Sequence, residues 1–412
     1  MQILYPCCCG LDVHAKNVVA CLIRDGRKQI RTFSTMTDDL LALLDWLTAE
    51  GCTHVAIEST GVYWKPIFNI LEGSMQVLLV NAREVKAVPG RKTDVRDCEW
   101  LADLLRHGLL RASFIPPAHI RGLRELTRHR QSLVRELAAV ANRVQKLIES
   151  ANIKLAQVAS DALGSSGRAM LRALAAGEED VTKMAELAKG RMKAKKPQLR
   201  LALKGKLTTP QRWVLEELLD HYEELEVRIA KTNERIEVEV AQDHHPEVAE
   251  AVELLKTIPG VGQSVAQTVI AEIGVDMGRF PSDAHLSSWA GMCPGNNESA
   301  GKRRSGKTTK GSPYLRAALV QAAWAASCTK QTSLSAQYHR LYKRLGRKKA
   351  LVAVGHSLLV IIYHVLQNRA GYAELGGNYF DSLQVDRQRK RLIKKLESLG
   401  VKVTVEALSE AA

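Results

Sequence analysis

Four acidic side chains occupy positions where carboxylates could hold a metal ion. Asp12 ends the apolar run "CCCGLDV", and Glu58 ends the apolar segment "HVAIE". Asp94 and Asp97 lie three positions apart in "TDVRD", at the start of a segment with helical pattern, so they share one helix face. Hard oxygen ligands favour Mg²⁺ or Mn²⁺, and two such ions promote phosphodiester chemistry by activating one oxygen and stabilising another.

Asp94 and Asp97 also have an ordinary explanation, because acids favour helix caps and the first helical turn. The other two acids favour the ligand interpretation. Neither Asp12 nor Glu58 suits a strand interior, yet both follow uninterrupted apolar runs. Four close carboxylates repel one another strongly unless a cation neutralises them. Asp103 is rotated away from Asp94 by about 180° at about 100° per residue, so we expect it on the surface, as we do Glu99.

Residues 1–115 have the pattern of an α/β domain that could position these acids. Three strands, the latter two joined by a hairpin turn in "RDGRK", precede a helix in "TDDLLALLDWLTAEG" and then strands that alternate with helices. This order is that of an RNase H-like fold. In such folds the strands that end at Asp12 and Glu58 are neighbours, and a later helix can close over the same edge.

The remainder of the chain is predicted to be helical. Residues 116–248 carry two long segments with heptad-like apolar positions, typical of an antiparallel coiled-coil arm, with shorter helices near 160–206 at its far end. A globular helical bundle is the alternative. Residues 249–370 form a predicted all-α domain, and 371–412 a polar tail.

Charge indicates a polyanionic partner. The net charge is +15 with a pI near 9.5, and the segment from Ser299 to Lys349 contains thirteen Lys and Arg but no Asp or Glu. Upstream, "IPGVGQSVAQTVIAEIG" is typical of a helix-hairpin-helix, in which Gly260 and Gly262 let backbone N–H groups approach a phosphate. A plain corner between helices is the alternative. We predict nucleic-acid contacts from these glycines and from Lys302, Arg303, Arg304, Lys307, Lys310 and Arg316.

The string "GKRRSGKT", residues 301–308, satisfies the P-loop pattern but lacks its context. A P-loop needs a buried strand before it and an unbroken helix after it, whereas "CPGNNESA" precedes it and Gly311 and Pro313 follow. A flexible basic loop that presents Ser299 is the better interpretation. A serine hydroxyl needs activation to attack a phosphate, and nearby cations would stabilise the developing charge. By residue type alone, Ser305 and Ser312 are equally available.

Hydropathy and cysteine usage indicate where in the cell the protein is located. We find no run of about 18 uncharged apolar residues and no signal-peptide pattern, so we expect a cytoplasmic, nucleoid-associated protein without a membrane partner. The eight cysteines show no ligand spacing, which argues against a zinc site or a disulfide framework.

The motifs together resemble the DEDD-type transposases of insertion sequences, a family that includes the Piv-type DNA invertases and the bridge-RNA-guided recombinases. "GLDVHAK", "IESTGVYW" and "KTDVRDCEWLADLLRHG" match the RuvC-like half, whose Asp-Glu-Asp-Asp pattern is similar to that of the RuvC resolvases. "IPGVGQSVAQTVIAEIG", "WAGMCPGNNESAGK" and "KGSPYLRAALVQAAW" match the transposase half. The resemblance covers about residues 8 to 370.

By this resemblance, Ser299 corresponds to the nucleophilic serine that links to DNA, although "SAGK" stands where many members have "SGGK". It also implies a homo-oligomer, a dimer or a tetramer, that works with a structured guide RNA. We therefore expect a transposase that excises and inserts its own element. The carboxylates and Ser299 lie in different predicted domains, so folding or a partner subunit must bring them together.

A metal-dependent, structure-specific DNA endonuclease is the alternative, with the C-terminal domain only gripping DNA. A covalent protein–DNA intermediate distinguishes the two, because hydrolysis by water leaves none. A third hypothesis, a non-enzymatic nucleic-acid scaffold, leaves the four acids unexplained.

Overall fold

A computed structural model describes residues 2–59, 61–81, 94–241, 244–294, 297–299, 302–305, 307–382, 385–400 and 403–404. For five of the predicted site residues the structure describes the backbone and not the side chain. They are Asp94, Ser299, Lys302, Arg303 and Arg304. The chain divides into two compact units, Met1–Ile115 and Pro116–Ala412.

The first unit contains a mixed five-stranded sheet. Its strands are β1 (Cys7–Val13), β2 (Asn17–Arg24), β3 (Arg27–Ser34), β4 (His54–Glu58) and β5 (Gln76–Val80), in the order β3-β2-β1-β4-β5. The first three strands pair antiparallel, whereas β1, β4 and β5 are parallel. Asp25 and Gly26, with φ of 49° and 85°, form the turn between β2 and β3. Two left-handed residues match the twist of a two-residue hairpin, and the predicted turn is confirmed.

Helices cover both faces of this sheet. The helices α1 (Thr37–Ala49) and α2 (Trp64–Leu71) share an apolar core with Leu11 and Ile57 on one face. The helix α3 (Asp94–Arg106) packs on the other face through Leu101, Leu105 and their neighbours. The α/β prediction for the N-terminal part is confirmed.

The second unit begins with two long antiparallel helices, α4 (Ala118–Ser150) and, later in the chain, α9 (Thr209–Val240). Arg130 lies 3.3 Å from Asn233, and Gln211 lies 3.5 Å from Ser150, so the two helices run in opposite directions. Apolar side chains from both helices form the seam between them. This is the arrangement that the heptad-like spacing predicts.

Short helices between the two long ones form a module with its own core. They are α5 (Leu155–Val158), α6 (Ser165–Ala175), α7 (Val181–Glu186), a 3-10 helix (Gly190–Lys195) and α8 (Lys196–Ala202). Met170, Leu171 and Leu199 are fully buried within it, together with residues from the ends of α4 and α9. The insertion is therefore a packed structure rather than a linker.

The rest of the second unit is mostly helical. It comprises α10 (Pro246–Lys256), α11 (Gln263–Ile273), a 3-10 helix (Met277–Arg279), α12 (Asp283–Trp289), β6 (Asn297–Ser299), β7 (Lys302–Ser305), α13 (Pro313–Cys328), α14 (Ser333–Leu345), α15 (Arg347–Asn368), α16 (Tyr379–Ser382) and α17 (Val385–Glu397). The pairing of β6 with β7 corrects the prediction of an all-α domain with a flexible basic loop. These strands are too short and too polar to give an alternating hydrophobic signal in the sequence.

The helix α15 is long and apolar enough to cross a membrane by length and composition, the single such helix in the described part of the chain. Its most apolar window has a mean hydropathy of 1.8, and 56% of that window is buried within the protein. Val354, Leu358 and Ile362 are fully buried. This burial is that of a core helix.

The predicted polar tail begins with specific contacts. The backbone N–H of Tyr372 donates to Thr257 Oγ1 at 2.8 Å, and Glu374 accepts the backbone N–H of Ser333 at 2.8 Å. Arg340 lies over the ring of Phe380 at 4.4 Å. Residues 372–380 are therefore tied to the helical body.

Candidate active site

Asp12 and Glu58 lie side by side at one edge of the sheet. The parallel pairing of β1 with β4 ends at Leu11 and Ile57, and the two acids are the next residues on their strands. Leu11 and Ile57 point into the core on the α1/α2 face. Because side chains alternate along a strand, both acids face the opposite side, where α3 packs. Both are half-buried.

The helix α3 runs antiparallel to β1 across that face. The backbone N–H groups of Leu4 and Tyr5 donate to the carbonyl of Arg106, which places the end of α3 near the beginning of β1. Further along β1, a Cβ on Gly10 would lie 2.3 Å from the carbonyl oxygen of Cys98. The first turn of α3, which contains Asp94 and Asp97, is therefore at the end of β1 where Asp12 lies.

Asp12 also acts on a side chain of α3. A hydrogen bond with Cys21 and burial raise the pKa of the Cys98 thiol, and the negative charge of Asp12 raises it further. His14, two residues further along the chain, places Nε2 3.2 Å from Asp12 Oδ2. His14 was not among the residues predicted from the sequence, although its position two residues after Asp12 was a usable signal.

The donor set fits a hard divalent cation in the type of its ligand atoms. The known ligand preference of Mg²⁺ and Mn²⁺ is for carboxylate oxygens, and the sheet and α3 bring such groups to one edge. Among the described side chains, those of Asp12, Glu58 and Asp97 do not bring ligand atoms within 4.8 Å of one another. Asp103 and Glu99 are half-buried and pair with His107 and Lys28 respectively.

The backbone places Ser299 at the closed end of a β-hairpin. Ser299 is the last residue of β6 and pairs with Lys302, whereas Ser305 pairs with Asn297 at the open end. Ser312 has a structural role, because it caps α13 by accepting the N–H of Leu315 and donates to Glu272 at 3.0 Å. The geometry thus separates three serines that were equivalent by residue type.

A groove of about 1290 Å³ lies in the second unit and is rich in cations. Its floor is apolar, and the basic residues that line it are Lys307, Arg316, Arg344, Lys348 and Lys349, with no acidic residue in the lining. Arg316 is held by a hydrogen bond of 2.7 Å to Thr308. Lys310 is exposed in the same segment. The sequence prediction covered the whole segment from Ser299 to Lys349 and named Lys307, Lys310 and Arg316 within it, whereas the structure also brings cations of α14 and α15 into the groove. Such a groove suits a phosphate backbone.

The two glycines of the predicted helix-hairpin-helix, Gly260 and Gly262, have different surroundings. Gly260 has φ of 86°, and a Cβ there would lie 2.4 Å from the carbonyl oxygen of Ala322 on α13. The absence of a side chain at Gly260 is therefore explained by close packing. Gly262 precedes α11 and faces open space, so the backbone there is accessible to a ligand.

One group of possible metal ligands escaped the sequence analysis. His119, His245 and Glu247 bring their ligand atoms within 4.8 Å of one another. His119 lies at the start of α4 and the other two at the start of α10, so no local spacing could have indicated the group.

Comparisons with known proteins agree with the motifs. A DEDD-type IS110 profile described as a transposase matches residues 9–153, and one described as the IS116/IS110/IS902 transposase family matches residues 252–340. The chain is 24% identical over 368 residues to a Pseudomonas aeruginosa protein named "Probable family 20 transposase", covering 88% of this chain and 94% of that protein.

It is also 32% identical over 128 residues to the pilin gene-inverting proteins of Moraxella bovis and Moraxella lacunata, covering 30% of this chain and 39% of each relative. The two profiles together cover more than half of the chain, in the order that the motifs predict. The chain therefore belongs to the IS116/IS110/IS902 family of transposases and is a DNA transposase.

Proposed function

We propose that this transposase excises and inserts its own element by site-specific recombination through a metal site and a serine nucleophile. The metal ligands are Asp12, Glu58, Asp94 and Asp97, and the nucleophile is Ser299. The observation that carries the proposal is the meeting of the ends of β1 and β4 beneath the first turn of α3. The strand order β3-β2-β1-β4-β5 supports an RNase H-like, RuvC-like assignment for this unit.

Other residues of the protein position the carboxylates at the ends of β1 and β4. Hydrogen bonding between β1 and β4 fixes the backbone beside Asp12 and Glu58, and Gly10 lets α3 approach closely enough to bring Asp97 to the same edge. The imidazole of His14 holds the Asp12 carboxylate from one side. Mg²⁺ or Mn²⁺ bound by these carboxylates would supply Lewis-acid stabilisation of charge on a phosphodiester.

In the proposed chemical step, Ser299 Oγ forms a bond to the phosphorus of a DNA phosphodiester. The scissile bond from phosphorus to a deoxyribose oxygen breaks, and the serine proton passes to that oxygen, which leaves as a free hydroxyl. The phosphate ester to serine keeps the bond energy, so the reverse reaction with another DNA hydroxyl rejoins strands without a high-energy cofactor. Cations near the hairpin would stabilise the charge that develops on the phosphate.

We further propose that the protein works as a dimer or tetramer with a structured guide RNA, in the cytoplasm and associated with the nucleoid. The basic groove and the net charge of +15 support a nucleic-acid partner, and RNA shares the phosphate chemistry of DNA. Sequencing of the RNA that co-purifies with the protein tests this, and an absence of any enriched structured RNA would contradict it.

The test of the chemistry is the covalent intermediate. Wild-type protein incubated with element-end DNA and Mg²⁺ should give a protein–DNA adduct that survives denaturation and shifts on a denaturing gel. Ser299→Ala removes the oxygen but no charge and little volume, so the adduct and recombination should vanish while DNA binding persists. Asp94→Asn should also give no adduct, because it removes a proposed metal ligand.

Ser305→Ala is the matched control, since Ser305 lies on the other strand of the same hairpin. It should leave the adduct unchanged. Cleavage by Ser299→Ala at a near-normal rate would instead support the endonuclease alternative, in which water hydrolyses the phosphodiester. Loss of the adduct in Ser305→Ala alone would move the nucleophile to Ser305.

A further inference from the structure

Two histidines and a glutamate meet at the base of the helical arm. His119 is the second residue of α4, the outgoing long helix, and His245 caps α10, which follows the returning long helix. Glu247 lies in the first turn of α10, and His245 Nδ1 is 3.1 Å from its carboxylate oxygen Oε1. The imidazoles of His119 and His245 stack with centroids 3.6 Å apart and an angle of 14° between the rings.

The three side chains are close enough for one ion, and the two stacked imidazoles would turn from their stack so that their ring nitrogens converge on it. One ligand atom from each of the three residues lies within 4.8 Å of the other two, and all three side chains are half-buried. Two imidazole nitrogens and a carboxylate, with a fourth position left to solvent, form a ligand set that Zn²⁺ accepts.

The ligand types select the type of metal. Imidazole ligands favour zinc and other late first-row metals over Mg²⁺. We propose that His119, His245 and Glu247 form a Zn²⁺ site that fastens the start of α4 to the start of α10. Such an ion would close the chain from 119 to 245 into a loop and stabilise the folded arm, because it binds the folded state only.

The experiment uses the full-length protein, freed of metal with a chelator and kept in excess Mg²⁺ so that the carboxylate edge is saturated. Co²⁺ replaces Zn²⁺ as a spectroscopic probe, and its visible absorption reports nitrogen ligands and stoichiometry. Wild-type protein should bind one Co²⁺, which Zn²⁺ displaces, and Zn²⁺ should raise the thermal midpoint. His119→Ala and the nearly isosteric Glu247→Gln should each weaken binding by at least about tenfold, given what even indirect partners of a metal contribute.

His221→Ala is the matched control, because His221 Nε2 lies 3.4 Å from Glu136 in the arm as a simple pair. It should leave Co²⁺ binding unchanged. Asp94→Asn should also retain it, which separates this site from the proposed catalytic metals. The proposal would be overturned if wild-type protein gave no Co²⁺ spectrum. It would also be overturned if His119→Ala and His221→Ala lost Co²⁺ affinity equally. If His119→Ala fails to fold, Glu247→Gln tests the proposal alone, because glutamine keeps the size of the side chain and one hydrogen-bonding oxygen.

Discussion

At the scale of single residues, one buried carboxylate joins three parts of the second unit. Glu272 on α11 is 1% exposed and accepts two hydrogen bonds from Arg128 on α4, at 2.7 and 2.9 Å. The hydroxyl of Ser312, the cap of α13, donates to the same carboxylate at 3.0 Å. Arg124 donates to the carbonyls of Ala271 and Glu272 at the end of α11. The packing of α4, α11 and α13 against one another therefore depends on the single negative charge of Glu272.

Glu272→Gln should destabilise the second unit by about 3 kcal/mol, because it keeps the shape but leaves partly buried arginines without their counter-charge. The measurement is the free energy of unfolding in urea. Glu224→Gln is the control, since Glu224 pairs with Arg228 on the exposed face of α9. Its cost should be below about 0.5 kcal/mol. An equal decrease in the free energy of unfolding in the two variants would contradict a special role for Glu272.

At the scale of elements, the position of α3 decides whether the four acids can meet. Gly10 has no room for a side chain, because a Cβ would lie 2.3 Å from the carbonyl oxygen of Cys98 and 2.5 Å from the backbone nitrogen of Ala102. Both obstacles are backbone atoms, so no rotamer change relieves them. Cys98 and Ala102 belong to the stripe of α3 that packs on β2, which transmits any shift to the first turn of the helix.

Gly10→Ala should displace α3 and lower the free energy of unfolding of the first unit by about 1–3 kcal/mol, as overpacking of a core does. Formation of the protein–DNA adduct should fall more than stability alone explains, since Asp97 moves away from Asp12. Gly73→Ala is the matched control, because no atom lies within 4 Å of a Cβ at that position. Normal adduct formation by a folded Gly10→Ala protein would show that the position of α3 is not critical.

At the scale of the whole molecule, charge of one sign collects in the second unit. The groove that α13, α14 and α15 line together is flanked by five Lys and Arg without an acid. Several cations elsewhere in the unit are paired with acids, as Lys183 is with Glu178 and Lys256 with Glu253. A solvated surface normally mixes signs, so the groove is the surface expected to hold phosphates.

Changing Lys307, Lys348 and Lys349 together to Gln should flatten the plot of log affinity for duplex DNA against log salt. Each lysine that no longer neutralises a phosphate lowers the slope by about 0.9. The measurement is a salt titration of binding by fluorescence anisotropy. The control triple variant changes Lys183, Lys196 and Lys256 to Gln, which removes the same charge from ion-paired sites. An unchanged slope for the groove variant would place the phosphate-binding cations elsewhere.

The sequence by itself determined the element types of the first unit, the long helices and the family. Alternating and heptad periodicity arise from local burial, so β1, the turn at Asp25 and Gly26, and the helix pair were predictable. The residues at strand ends and on one helix face also indicated the carboxylate edge, because strand register and helical period fix which residues share an edge or a face.

The tertiary structure decided what depends on contacts between distant segments. The hairpin at Ser299 was missed because pairing of two short polar strands leaves no periodic signal in the sequence. The packing of Gly260 against α13, the cations that α14 and α15 add to the groove, and the meeting of His119 with His245 all join residues far apart in the chain. Sequence patterns report the neighbours of a residue along its own helix or strand, whereas these sites depend on which elements pack together.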